Sequence, residues 1–243
     1  MGSHQTIAAA GIGLALSLSV TATAQVLDSP SSRALTFFGS IFRGDPGSTL
    51  RALRPPAVSV MERARAIATL PEVGELKPRD SELGKIRALD SVLAYHERRQ
   101  VFHVVVIDVP QVVVGLHERS ILLLSRPALQ ILSVPELQAM VAHEIGHDYF
   151  WPDFEPLSRD PDPKERQILE LKCDGIAVLT AVALGLKVAP LHEGIRKMAL
   201  FNERLGATAG VEGYPNLRER RAFTDALLSR PRSPTSNLTL ARF

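Results

Sequence analysis

The stretch Ser133–His147, SVPELQAMVAHEIGH, decides the fold of this chain. Ser133 and Glu136 have the spacing of a capping box, in which the serine side chain and the glutamate side chain each accept a hydrogen bond from the other residue's backbone amide. A helix is therefore predicted to begin after Ser133 and to run to about Asp148. Apolar residues recur along it at helical spacing, which predicts a face packed into a core: Leu137, Met140, Val141 and Ile145.

The end of this stretch, His143 to His147, reads HEIGH and has the pattern H-E-x-x-H. In a helix, residues four apart lie on the same face, one turn from each other. Two imidazoles placed in this way can bind one Zn²⁺, and Glu144 beside them can take a proton from a water on the metal. The motif also arises by chance, so the hypothesis needs a third ligand.

A second motif, Glu170 to Asp174 (ELKCD), supplies that ligand and begins 23 residues after His147. A helix is predicted from the Asp162-Pro163 pair, an N-cap followed by proline at the first position, to about Leu184. The simplest assignment has Glu170 binding zinc and Asp174 accepting a hydrogen bond from a ligand histidine.

The alternative reading of this second motif is a solvated carboxylate pair that interacts with the helix dipole. It fits Asp174 poorly, because this residue lies twelve positions past the predicted N-cap. The helix is also almost wholly apolar beyond Asp174, as expected of a buried helix. Burying an uncompensated charge costs several kcal/mol, so both carboxylates need a cation or hydrogen-bond donors.

The composition excludes several other classes of protein. The 243 residues carry a net charge of +2 and are 45% hydrophobic and 22% charged, which is ordinary for a globular domain and gives no support for nucleic-acid binding. The single cysteine, Cys173, rules out an intramolecular disulfide. We expect it to be a core residue rather than a nucleophile, because its neighbouring carboxylate disfavours the thiolate.

The first 27 residues contain no Lys, Arg, Asp or Glu. The run from Ile7 to Ala24 is apolar and ends in an A-x-A pattern, which is typical of a secretory signal peptide cleaved near Ala24–Gln25, although no basic residue precedes it. An uncleaved membrane anchor is the alternative. The sequence therefore predicts an exported chain, periplasmic or secreted from a bacterium, with no transmembrane span after cleavage.

The rest of the chain predicts an α+β fold that is mostly helical with a small β-sheet. Residues 25–57, rich in Ser, Pro, Gly and Arg, are predicted to be a linker or loosely packed lead-in, residues 58–230 the folded domain and residues 231–243 a flexible tail. Strands are predicted at 101–107, 111–116 and 120–125, and a loop at 148–162. Further helices are predicted at 59–69, 81–98, 190–205 and 216–229.

The two motifs together resemble the HtpX-like zinc metallopeptidases, which include the CAAX prenyl endopeptidases and the BepA-type periplasmic proteases. The resemblance covers about residues 80–225 and extends to Gly213–Arg220 (GYPNLRER), which is similar to the family's His-Pro-x-x-x-x-Arg segment. It implies a zincin-like fold of the gluzincin type. It also implies that His143, His147 and Glu170 bind one Zn²⁺ and that Glu144 is the catalytic base.

The chain departs from the family at two places. Val112–Val114 stand where the family has Asn-Ala, and Tyr214 stands where it has histidine. Tyr214 is therefore the candidate donor to the oxyanion of the reaction, with Arg220 as the next candidate. The connection between His147 and Glu170 is short and polar, which favours a soluble, exported branch over the integral-membrane branches.

The predicted function is hydrolysis of peptide bonds by a zinc metalloendopeptidase acting on polypeptides, in protein quality control of the cell envelope. An edge strand within 111–125 is expected to pair with an extended substrate. The aromatic residues between Tyr149 and Phe154 either pack in the core or form a wall of the substrate cleft. The alternatives are a zinc-stabilised binding or chaperone-like protein with little turnover and a regulatory peptidase of the ImmA/IrrE type.

Overall fold

The structure is a computed structural model that describes residues 29–42, 44–70, 74–207 and 213–230. The predicted signal peptide and the predicted tail lie outside these residues. The described helices are α1 (Pro30–Ile41), α2 (Pro46–Leu53), α3 (Val60–Ala68), α4 (Asp80–Arg87), α5 (Asp90–Tyr95), α6 (Arg126–Ile131), α7 (Val134–Tyr149), α8 (Trp151–Arg159), α9 (Pro163–Ala183), α10 (Ala189–Arg204) and α11 (Leu217–Leu228). The strands are β1 (His103–Ile107), β2 (Val114–His117) and β3 (Ile121–Ser125).

The fold is mostly helical with one three-stranded sheet, which confirms the α+β prediction at this level. The strand order is β1-β3-β2, with β3 parallel to β1 and antiparallel to β2. Helix α7 packs against β2, while α3 covers a small second core on the sheet that includes Ala66, Val105 and Ile121. None of the described helices is both long and apolar enough to cross a bilayer.

The caps predicted for the two motif-bearing helices are confirmed. At the start of α7, the Glu136 amide donates to the Ser133 side chain over 3.4 Å and the Ser133 amide donates to the Glu136 carboxylate over 2.7 Å. At the start of α9, the carboxylate of Asp162 accepts two backbone hydrogen bonds. Helix α9 is followed by Gly185, whose φ of +67° lies in the region that favours glycine after a helix.

Helices α7 and α9 form the centre of the fold and approach each other very closely at one point. A Cβ added to Gly146 would lie 2.7 Å from the Cα of Cys173, so only glycine allows the two backbones to come this near. This contact places the H-E-x-x-H motif of α7 directly opposite the E-x-x-x-D motif of α9.

The prediction of a linker over 25–57 is wrong for the part that the structure describes. Helices α1 and α2 lie here and contribute fully buried side chains, Phe38 and Leu50, to the main core. The Ser29-Pro30 and Asp45-Pro46 pairs that begin them are N-caps followed by proline, which is the same signal that correctly placed the start of α9.

The predicted loop at 148–162 is also wrong, because α8 occupies most of it. Pro152 lies in the first turn, where a proline costs no hydrogen bond, and Pro156 is tolerated inside the helix. The predicted long helix at 81–98 is instead two short helices, α4 and α5, separated by Ala88 and Leu89.

A buried chain of hydrogen bonds fastens α5 to both central helices. Thr180 donates its hydroxyl hydrogen to the carbonyl of Ile176 over 2.7 Å, so its oxygen must accept from Nε2 of His96, which lies 2.9 Å away. Nδ1 of His96 then carries no proton and accepts from the Tyr149 hydroxyl at 2.9 Å. The positive charge of Arg54 lies near the Tyr149 hydroxyl and opposes the rise that burial causes in its pKa. The chain is therefore satisfied with His96 neutral.

This arrangement predicts acid sensitivity. Burial, with help from nearby Arg54 and Arg98, lowers the pKa of His96 from 6.5 to about 3. Because the folded-state pKa lies below the unfolded-state pKa, the contribution of His96 to stability is complete above about pH 6.5 and declines as pH falls towards 3. When the pH falls from about 8 to about 5, we expect the free energy of unfolding to decrease by about 2 kcal/mol more in this protein than in the His96→Gln variant.

The free energy of unfolding in urea, measured for both proteins across this pH range, tests the expectation. Equal losses in the two proteins would show that His96 ionises freely in the folded state.

Candidate metal centre

The H-E-x-x-H residues of α7 form a buried group that could hold a metal ion. One ligand atom each from His143, Glu144 and His147 can be chosen so that all three lie within 4.8 Å of one another. The imidazole rings of the two histidines are 5.3 Å apart between centroids and nearly perpendicular. Helical spacing alone brings the three side chains together, as the sequence predicts.

The E-x-x-x-D residues of α9 meet this group from the opposite side. Glu170 places one carboxylate oxygen 3.3 Å from Nε2 of His143 and the other 3.7 Å from Nε2 of His147. Asp174 lies behind His143, with one oxygen 2.9 Å from Nδ1 of that ring. The structure thus brings together the predicted ligands and places Asp174 where it fixes the orientation of the His143 ring.

Arg220 of α11 completes the group, and the sequence analysis missed this role. One terminal nitrogen donates to both oxygens of Asp174 over 2.7 and 2.8 Å, and the other donates to Glu170 over 3.0 Å. Its Nε donates to the carbonyl of Pro215. Arg220 is therefore the counter-ion of two buried carboxylates, a different role from the oxyanion donor considered from sequence. The sequence signal that could have indicated this role is the position of Arg220 at the end of the Gly213–Arg220 segment.

The electrostatics of the group favour a positive charge between the carboxylates. Burial lowers the pKa of His143, but hydrogen bonds to Asp174 and Glu170 outweigh this and raise it to about 10. Burial raises the pKa of Glu170, but His143, His147 and Arg220 hold it well below its ordinary value. The histidine nitrogens and carboxylate oxygens of this group therefore fit a cation. That cation is either a proton on His143 or a metal ion that takes the place of the proton.

Glu144 and His147 differ from these residues in their protonation. Burial raises the pKa of Glu144 to about 7, against the opposing effect of His143 and of a hydrogen bond from the backbone of Leu116 in β2. Burial lowers the pKa of His147 to about 4, so this ring is neutral near pH 7. A carboxyl group with a pKa near 7 can both accept and return a proton at neutral pH.

Aromatic side chains of α8 form a wall against the group. The ring of Phe154 lies 4.6 Å from that of His147, and Trp151 lies 5.3 Å from Phe154. Tyr149 and Phe150 are instead buried in the main core. The core role considered from the sequence is therefore seen for Tyr149 and Phe150, whereas Trp151 and Phe154 lie on the side of His147.

Tyr214 lies near the group without a hydrogen bond from its hydroxyl to any of the described residues. Its side chain remains 45% exposed, and the guanidinium of Arg166 lies 5.7 Å from the ring centroid. Burial and the negative charges of Glu170 and Glu144 raise the pKa of its hydroxyl. Gly213, with φ of +95°, lets the chain turn just before it.

The remaining candidates from the sequence lie outside this chemistry. His103 is exposed at the start of β1, and His96 belongs to the structural chain described above. Cys173 is fully buried, and burial raises the pKa of its thiol well above the usual value, which agrees with the prediction that it is no nucleophile.

Comparison with protein-family models, with curated proteins and with solved structures gives no match. The family resemblance of the two motifs therefore remains a proposal. What supports it is the arrangement of the side chains around His143 and His147.

The geometry predicts a graded response of metal binding to changes on α9. Glu170→Ala should abolish most zinc binding because it removes a ligand, while Asp174→Asn should weaken it less, by about ten- to a hundredfold. Asp162→Asn is the matched control, since Asp162 caps the same helix far from the group and should leave zinc affinity unchanged. Dissociation constants from chelator competition provide the measurement, and full zinc occupancy in Glu170→Ala would remove Glu170 from the site.

Proposed function

We propose that this chain is a zinc-dependent metalloendopeptidase with a zincin-like fold, related to the soluble, exported branch of the HtpX-like peptidases. The observation that carries the proposal is the convergence of His143, His147 and Glu170 beside Glu144, from two helices that touch at Gly146. Two imidazole nitrogens and one carboxylate are the ligands of a catalytic zinc site, which leaves a fourth position open.

Each side chain has a defined task in peptide hydrolysis. His143, His147 and Glu170 would hold the zinc, while Asp174 keeps the proton of His143 on Nδ1 so that Nε2 faces the metal. When bound, zinc acts as a Lewis acid that polarises the scissile carbonyl and makes water more acidic. Glu144, which lies beside the proposed ligands, would take the proton of the attacking water and return it to the leaving amine.

The edge of the sheet supports a polypeptide substrate. The Ser125 amide donates to the Val113 carbonyl over 2.9 Å. In an antiparallel pair only alternate residues bond to the neighbouring strand. The backbone N–H and C=O groups of Val114 and Leu116 therefore point away from β3. No described strand pairs with this side of β2. Because the backbone of Leu116 contacts Glu144, a peptide that pairs with this edge would cross the site directly.

Two further elements border the proposed cleft. The wall formed by Trp151 and Phe154 would contact an apolar side chain of the substrate. Tyr214 would donate its hydroxyl hydrogen to the oxyanion that forms at the scissile carbonyl.

A zinc-stabilised binding or chaperone-like protein is less well supported by the geometry. Structural zinc sites are closed by four protein ligands, whereas this group offers three and a neighbouring acid–base residue. A regulatory peptidase would share the chemistry but act inside the cell, so it differs from our proposal in location. We propose export to the periplasm, and a role there in removing unfolded polypeptides of the cell envelope.

The role of Glu144 can be isolated by replacing it with glutamine. Glu144→Gln should keep the zinc and the fold, since the shape is preserved, but should lose nearly all cleavage of an unfolded test protein because the base is gone. Glu193→Gln, an exposed change on α10, is the matched control and should cleave at the original rate. Unchanged cleavage by Glu144→Gln would contradict the mechanism.

Tyr214→Phe removes a hydroxyl and little else. If this hydroxyl donates to the oxyanion, kcat should fall by about tenfold to a thousandfold, with zinc content and thermal stability unchanged. Steady-state kinetics with a peptide substrate provide the measurement. An unaltered kcat would mean that Tyr214 only packs beside Arg166.

A further inference from the structure

The two histidines of the metal centre are held in unequal ways. Nδ1 of His143 lies 2.9 Å from the carboxylate of Asp174, which is itself held by Arg220. Nδ1 of His147 has a different kind of partner, the thiol sulfur of Cys173 at 3.5 Å. Among the described residues, this sulfur is the one hydrogen-bond partner of that nitrogen.

The close approach of the central helices explains how a side chain at position 173 reaches His147. A Cβ added to Gly146 would lie 2.8 Å from the Cβ and 3.1 Å from the sulfur of Cys173, so the space holds only a small residue. Phe154 covers the ring of His147 at 4.6 Å. The imidazole is therefore fixed by an aromatic ring and by the thiol.

The chemistry of the two partners differs in a way that matters for a ligand. A carboxylate only accepts hydrogen bonds, so Asp174 keeps the proton of His143 on Nδ1 and leaves Nε2 free for a metal. A neutral thiol is both a weak donor and a weak acceptor, and so it tolerates either position of the ring proton in His147. It also adds no negative charge to a group that already contains three carboxylates.

We propose that Cys173 is a positioning residue for His147, whose thiol orients the imidazole with Nε2 towards Glu170 and makes this side of the centre the weaker of the two. This inference deepens the proposed function and rests on it, since it assumes that His147 binds zinc. It assigns to the cysteine a role in metal affinity and not merely in packing.

The test uses two replacements in a full-length Glu144→Gln background, so that no cleavage disturbs the measurement. Cys173→Ala removes the partner and should raise the zinc dissociation constant about tenfold. Cys173→Ser keeps a small donor and acceptor and should return the constant to within about threefold of the parent. Chelator competition gives the constants, and nitrogen-15 NMR of the His147 ring reports which nitrogen carries the proton.

A packing control comes from the same helix. Ala177 lies one turn from Cys173, is buried and has no side-chain group that could hydrogen-bond to either histidine. Ala177→Gly should therefore lower thermal stability without altering zinc affinity. In Cys173→Ala, the ring signals of zinc-free His147 should shift relative to the parent, whereas those of His143 should not.

Two results would overturn the inference. One is a dissociation constant in Cys173→Ala within twofold of the parent, with unchanged His147 signals. The other is a Cys173→Ser variant that binds zinc no better than Cys173→Ala. Failure of the proposed function is distinct: a chain with Glu144 intact that binds zinc but cleaves no unfolded protein would refute the peptidase, while the Cys173 comparison in the Glu144→Gln background would remain valid.

Discussion

The burial of two carboxylates, Glu170 and Asp174, is the constraint on which the structure depends. Both lie on a helix whose second half is apolar, and Asp174 is completely shielded from solvent. Such charges are tolerated in a core only when cations and donors meet them there. His143 reaches them from α7 and Arg220 from α11, so the packing of three helices is tied to the compensation of one pair of charges.

The helix that carries the histidines is also held in place just beyond the site. Asp148, directly after His147, is fully buried and accepts from Arg98 over 2.8 Å and from Arg119 over 2.7 Å. Arg119 belongs to the turn between β2 and β3, so this ion pair joins the end of α7 to the sheet edge that contacts Glu144. Removing one partner of such a buried pair costs about 3–5 kcal/mol, which makes it a strong constraint on the cleft.

Local signals in the sequence predicted the caps of α7 and α9, the strands and the H-E-x-x-H and E-x-x-x-D motifs of the candidate site, because each depends on spacing within a single element. The linker and loop predictions failed where proline was read as a helix breaker, although Pro30, Pro46 and Pro152 each lie in a first turn. The roles of Arg220 and Cys173 could not be predicted in this way. Both arise from contacts between helices, 46 and 26 residues apart in sequence, that only the packing defines.

The charges of the proposed metal centre would allow a metal ion to take the place of protons without a change in net charge. Without a metal, the proton on His143 and the charge of Arg220 balance Glu170 and Asp174, while burial raises the pKa of Glu144 to about 7, which favours its protonated form. With Zn²⁺ on the neutral histidines, an ionised Glu144 brings the same group to neutrality. Starting from a protonated Glu144, the proposed doubly charged ion would replace the protons of His143 and Glu144 and leave the net buried charge unchanged. In the proposed peptidase, the metal ion would itself stabilise the ionised Glu144 that acts as the base.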